Sequence, residues 1–285
     1  MDFQKITSRI WFMKGDAERG WPNITAILGD DKTLVVDAGA CPEHAGLIQK
    51  ALEKMGRKAD YLVLSHWHWD CSFGLCAWDK VESMAQEKTV AFLEEQKEFD
   101  WNDDALYWRM EQGVESEYNA RMMKKEYPDL SKVNVVLPKR YYVEAEDIDL
   151  GGVTCQVRHL PSDHALDHSV IYVPEEKFLF LGDCLNENIY CESWHYTHGR
   201  LALLINSLRG FDTDLALESR GEEALGRVEF IDLLWQLQTV NDTVKRAVEE
   251  GLTDKLESLL AEAFERPLVE SDEELMRACL YGYFQ

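Results

Sequence analysis

Two kinds of hydrophobic pattern alternate along the chain. Short continuous apolar runs at Ile24–Leu28, 33–37, 61–64, Ser169–Val173 and 177–181 have the length and composition of strands buried on both faces. Residues 9–14 predict a further strand, followed by a turn-rich stretch at 15–23. By contrast, Ala45, Ile48, Ala51, Leu52 and Met55 recur at helical spacing, and Gly56 closes that helix. Residues 81–125 are rich in Glu, Lys, Met and aromatics with few breakers, which predicts two or three helices joined at 100–104. Strand patterns return at 133–137, 141–143 and 153–160, with Asp149-Leu150-Gly151-Gly152 as a hairpin turn. Pro174-Glu175-Glu176 separates another strand pair. The last third predicts helices at 200–208, 222–250, 253–264 and 271–281, with one short apolar stretch at 215–217. Two similar halves, strands then helices, predict an α/β protein of two face-to-face sheets with helices outside. No Pro/Gly/Ser-rich joint divides it, so residues 1–285 read as a single domain, with 81–125 as a helical insert and candidate lid.

Composition narrows the partners. Of 285 residues, 30 are Lys or Arg and 53 are Asp or Glu, a formal net charge of −23. Such a surface repels phosphate backbones and anionic bilayers, so no nucleic acid and no membrane are expected as partners. No apolar run approaches a membrane span, and the first residues show no secretory leader. The 7 cysteines are scattered and odd in number, which reads as reduced thiols in a cytoplasmic protein. The expected partner is a small-molecule substrate; nothing in the pattern speaks to the oligomeric state.

The chemistry concentrates in Leu64-Ser65-His66-Trp67-His68-Trp69-Asp70-Cys71, directly after a buried strand. In an extended segment His66 and His68 face the same side, with Asp70 continuing on that side or turning in. Imidazoles and a carboxylate so placed suit Zn²⁺ or another divalent first-row metal. An H-x-H pair alone is more often two surface histidines. Two later segments change that balance: His164 follows a strand and the Pro161 turn, and Asp183 ends an apolar strand after Gly182.

In this order the segments resemble the metallo-β-lactamase fold superfamily, with its H-x-H-x-D-H motif, isolated His, Gly-Asp and final His. His66, His68 and Asp70 match the first motif, His164 the isolated His, and Asp183 the bridging Asp; Asn23 and Val35-Val36-Asp37-Ala38-Gly39 also fit. The resemblance implies an αββα four-layer sandwich with a helical C-terminal segment. It implies a first metal on His66, His68 and His164, with Asp70 and Asp183 toward a second. Zn²⁺ is the leading choice, with Fe or Mn as alternatives.

Two departures matter. Cys71 stands where the family has a histidine, and Arg220, in Glu218-Ser219-Arg220-Gly221, stands where the last histidine belongs. A guanidinium cannot ligate a metal, so one ion is favoured over two. Cys71 remains a possible ligand, and Arg220 is expected to pair with Asp70 or Asp183. His168, His195 and His198 are possible lining residues, although an ordinary loop position suits the last two as well. His44 and His159 read as structural.

The expected reaction is hydrolysis of a small ester, thioester, lactone or phosphoester by metal-activated water, with Asp70 as proton acceptor. The alternative is a catalytically weakened binding or sensing protein on the same fold.

Overall fold

The computed structural model describes residues 2–191 and 193–285. The first sheet runs, in spatial and chain order, β1 (Gln4–Lys5), β2 (Ile10–Met13), β3 (Ile24–Leu28), β4 (Thr33–Val36), β5 (Tyr61–Val63), β6 (Glu82–Gln86) and β7 (Arg140–Tyr142). It is antiparallel through β4 and parallel from β4 to β7. The second sheet has the order β13 (Leu225–Gly226), β12 (Leu215–Glu218), β11 (Phe178–Gly182), β10 (Ser169–Val173), β9 (Thr154–His159), β8 (Ala145–Asp149).

The helices are α1 (Pro42–Lys54), α2 (Trp69–Ser72), α3 (Glu87–Lys97), α4 (Asp103–Glu111), α5 (Glu117–Glu126), α6 (His198–Leu208), α7 (Arg227–Glu249), α8 (Leu256–Ala263) and α9 (Glu270–Tyr283).

Strand periodicity explains the layering. On β4, Leu34 and Val36 face the second sheet while Val35 faces the α1 side; on β11, Phe178 and Phe180 face the first sheet while Leu179 and Leu181 face α6 and α7. Three apolar cores result, one between the sheets and one outside each, and this defines the αββα sandwich. Each fully buried Phe or Leu contributes on the order of 1.5–3 kcal/mol, which is why these strands are apolar on both faces.

Three expectations are corrected. Residues 82–86 form β6 rather than helix; Ser83, Met84, Ala85 and Gln86 are buried there despite the polar composition. The insert helices α3–α5 therefore begin only at Glu87. The expected strand at 133–137 is irregular chain that packs Val133, Val135, Val136 and Leu137 onto the outer core without joining a ladder. The long helix expected from 222 starts at Arg227, because Leu225–Gly226 pairs with β12 as an edge strand. His44 is structural as expected: its ring stacks on Trp21 at 4.0 Å, and burial pushes its pKa down to about 3.

The sheets are also clamped at one end. The β3–β4 turn donates from Asp31 and Lys32 to the Leu150 carbonyl in the β8–β9 turn, and from Asp30 to that of Gly151. Gly29 lies so close beneath that a Cβ would sit 2.0 Å from the Leu150 oxygen. Gly29→Ala should therefore cost roughly 2 kcal/mol or more, read as a lower urea midpoint with an unchanged m-value.

Candidate metal centre

The donors stand where strands stop. β5 ends at Val63, and residues 64–68 form a loop capped onto α2, so the histidine pair sits on a loop rather than in the expected extended strand. Asp70 and Cys71 then lie in the single turn of α2. Asp37, just past β4 and at a φ of 70°, accepts from the Ser65 backbone N–H at 2.7 Å and from its hydroxyl at 3.0 Å. Burial pushes its carboxyl up to about 8, against those two hydrogen bonds. Ser65 Oγ in turn lies 3.0 Å from His66 Nδ1, which leaves His66 Nε2 aimed inward.

His164, on the β9–β10 loop, is held through Nδ1 by the Glu187 carbonyl at 3.2 Å. One ligand atom each from His66, His68 and His164 lies within 4.8 Å of the others, and all three residues are buried. A second such group joins His66, Cys71 and Asp183. His66 Nε2, His68 Nε2 and Asp183 Oδ2 are buried without a hydrogen-bond partner. Such atoms are costly unless something accepts their lone pairs, and a divalent cation fits that need. Burial, reinforced by neighbouring positive charge, holds the pKa of His66 and of His68 well below the ordinary value, so both are neutral as ligation requires.

Asp183 follows β11, whose register with β12 slips between Phe180 and Gly182. Gly182 takes a φ of 61°, and a Cβ there would sit 2.6 Å from His168 Nε2. The same His168 nitrogen accepts the Asp183 backbone N–H at 3.1 Å, and its ring stacks on His66 at 5.2 Å. His168 thus fixes the orientation of two donors. Asn186 donates to Asp183 Oδ1 at 2.8 Å, a contact the sequence pattern did not reveal.

Arg220 follows β12. Its Nη2 donates to Asp70 Oδ2, its Nε lies 3.7 Å from Asp183 Oδ1, and its Nη1 donates to the Gly20 carbonyl at 3.0 Å. Its side chain is 40% exposed, and although desolvation among these groups opposes its charge, the Asp70 and Asp183 carboxylates outweigh that and hold its pKa above the ordinary value. Burial raises the Asp70 pKa, with Arg220 working against it. The Cys71 thiol is pushed well up, first by burial and then by the carboxylates around it. Asn23 positions the Arg220 loop: its Nδ2 donates to the Glu218 carbonyl at 2.9 Å and the Gly221 carbonyl at 2.7 Å.

His195 and His198 stand apart from the donors. His195 is buried against Cys191, Ser193 and Tyr281, and His198 pairs with Asn241; neither joins the cluster, because both point into the packing of α9 and α7. Of the insert aromatics, Phe99 and Trp101 stack on Arg109, while Tyr107 and Trp108 face solvent. Tyr190 was missed; its ring lies 5.3 Å from His68 and 5.2 Å from Trp67.

Fold and site together define a four-layer α/β protein with a buried, histidine-rich metal centre at one end of its two sheets. The chain belongs to the metallo-beta-lactamase superfamily, whose family model matches residues 19–209, well over half of its length. No curated protein matches it in sequence. Among solved structures, a metallo-beta-lactamase from Pontibacter korlensis is similar at 17% identity and a TM-score of 0.59, covering 82% of this chain and 97% of that one. The inverting sec-alkylsulfatase Pisa1 from Pseudomonas sp. is similar at 16% identity and a TM-score of 0.67, over 99% of this chain and 50% of that one. This chain therefore spans half the alkylsulfatase. A metallo-beta-lactamase from Cronobacter sakazakii gives 15% identity and a TM-score of 0.51, over 93% and 94% of the two chains. At such identities these likenesses establish the fold.

His66→Ala removes a donor from both candidate groups. It should abolish most of the metal bound by protein purified without chelator, as measured by inductively coupled plasma mass spectrometry, with the far-ultraviolet circular dichroism unchanged.

Proposed function

We propose that the protein is a hydrolase of a small ester, thioester, lactone or phosphoester that works with one divalent ion, zinc before iron or manganese. The carrying observation is the set of inward-facing, unpartnered nitrogens on His66 and His68, with His164 in ligand range. A bound ion would supply Lewis acidity and a lowered water pKa.

The chain's own residues supply the rest. Asp70 is the proton acceptor for the attacking water. Arg220 holds Asp70 in place, and it carries positive charge beside the reacting centre, where negative charge develops as the substrate is attacked. Its charge, set between Asp70 and Asp183, supports the one-ion reading, because a second cation there would meet like charge. Trp67 and Tyr190 wall the His68 side and exclude bulk water.

Supporting a reducing compartment, and hence the cytoplasm, all 7 cysteines are free. No helix among the described residues is long and apolar enough to cross a membrane.

Asp70→Asn keeps the side-chain size but removes the proton acceptor. Turnover in a panel of esters, thioesters, lactones and phosphoesters should fall by about 10²–10⁴-fold, with metal content retained. If the parent protein shows no metal-dependent turnover on the whole panel, the binding or sensing reading replaces this one.

Arg220→Met tests the ion count separately. Removing the guanidinium leaves Asp70, Cys71 and Asp183 free to bind, so the metal content should rise from about one equivalent toward two. A content that stays at one would show that Arg220 does not exclude the second ion.

A further inference from the structure

The three imidazoles of the centre do not share one support. His66 and His68 stand on a single loop. Asp37 pins it through the Ser65 N–H, and the Ser72 hydroxyl donates to the Trp67 and His68 carbonyls, both at 2.9 Å. His164 comes from the other sheet, on the turn between β9 and β10. That turn is closed on itself: the Ser162 N–H donates to the Ala165 carbonyl at 3.1 Å, and the Ala165 N–H to Ser162 Oγ at 3.2 Å. Bonds within the turn keep its shape, but they do not set its distance from the other two ligands.

Two contacts join this turn to the stretch after β11. One is the Glu187 carbonyl on His164 Nδ1. A carbonyl only accepts, so Nδ1 carries the proton and Nε2 is left as the ligand atom. This contact fixes the rotation of the ring. The other contact belongs to the residue before the ligand. Asp163 Oδ2 accepts the Thr197 N–H at 2.9 Å, and Oδ1 pairs with Arg200 Nη1 at 2.6 Å. The Asp163 side chain is 2% exposed, whereas Arg200 reaches solvent. Thr197 and Arg200 belong to the start of α6, where the helix dipole favours a carboxylate. The mooring point is itself fixed, because Leu201, Leu204, Ile205 and Leu208 bury α6 in the outer core. Tyr196, just before it, donates to the Leu185 carbonyl at 2.7 Å.

We infer that Asp163 is a positioning residue for the third ligand: its carboxylate moors the His164 turn to the first turn of α6 and so sets the distance of His164 from His66 and His68. The inference rests on the metal-centre reading and is independent of the reaction. Two acceptor oxygens are needed at once, one for a backbone N–H and one for a guanidinium, and only a carboxylate supplies both. Ligand atoms must be held to within about 0.5 Å, and losing an outer partner of a ligand costs about 10–100-fold in metal affinity.

Zinc affinity, measured by competition with a chromogenic chelator, tests this on the parent protein, Asp163→Ala and Asp163→Asn. The zinc Kd should rise about 10–100-fold in Asp163→Ala. It should rise less in Asp163→Asn, which keeps one acceptor and, being isosteric, should fold even where the alanine variant does not. A residue that only capped α6 would lower the thermal midpoint of zinc-free and zinc-loaded protein equally and leave the Kd as it was. A positioning role instead shrinks the rise in midpoint that zinc produces. A double-mutant cycle gives the second readout. In a His164→Ala background, Asp163→Ala should cause little further loss of zinc affinity, because its effect passes through the missing ligand. An unchanged Kd in every Asp163 variant that folds, or an equal loss with and without His164, overturns the inference. If the parent binds no zinc, the metal-centre reading falls and this inference with it. If the parent binds zinc but turns over no ester, the hydrolase reading falls alone, and the Kd comparison still decides the role of Asp163.

Discussion

The central strands β3, β4, β10 and β11 are buried on both faces, so a polar side chain placed mid-strand there must find its own hydrogen-bond partner. Chemistry is confined to the points where strands stop. Asp37 follows β4, the Ser65–His68 loop follows β5, Asp183 follows β11 and Arg220 follows β12. The β4, β5, β11 and β12 ends lie at one end of the sandwich, with parallel pairing in β4–β5 and in β11–β12 bringing adjacent ends into line. The remaining donor, His164, arrives from the β9–β10 loop and needs the Glu187 carbonyl to hold it. The centre follows from the core: the pressure that keeps the strands apolar also gathers the donors.

Charge is the second constraint. Asp37, Asp70 and Asp183 are all buried in one neighbourhood. Uncompensated carboxylates there would be expensive. Asp37 is quieted by two hydrogen bonds from Ser65, Asp70 by Arg220, and Asp183 by Asn186 on one oxygen only. The free oxygen of Asp183 and the free nitrogens of the histidines are what remains. The side chains therefore divide into a satisfied half, closed by Arg220, and an unsatisfied half, closed by an ion.

The layered fold was legible from its double-sided apolar runs, whereas His66, His68, His164 and Asp183, each a weak signal alone, were singled out by the order in which their segments resemble the superfamily's motifs. What escaped depended on distance or competition. β6 reads as helix because its five residues are polar or helix-forming and run straight into α3; burial between β5 and β7 overrides that preference. The segment at 133–137 reads as strand from its valines, yet it has no ladder partner. His195 and His198 looked available because they follow Asp183 closely, but α7 and α9, far along the chain, claim them. Tyr190 and Asn119 meet across 71 residues, and no local pattern announces such a contact.

The clamp from Asn23 to the Arg220 loop spans nearly 200 residues, 195 to Glu218 and 198 to Gly221. During synthesis every metal donor leaves the ribosome before Arg220 does. At typical elongation rates the gap between residues 183 and 220 is a few seconds. Because Arg220 sits just past β12, its guanidinium can stand between Asp70 and Asp183 only once β12 has paired with β11.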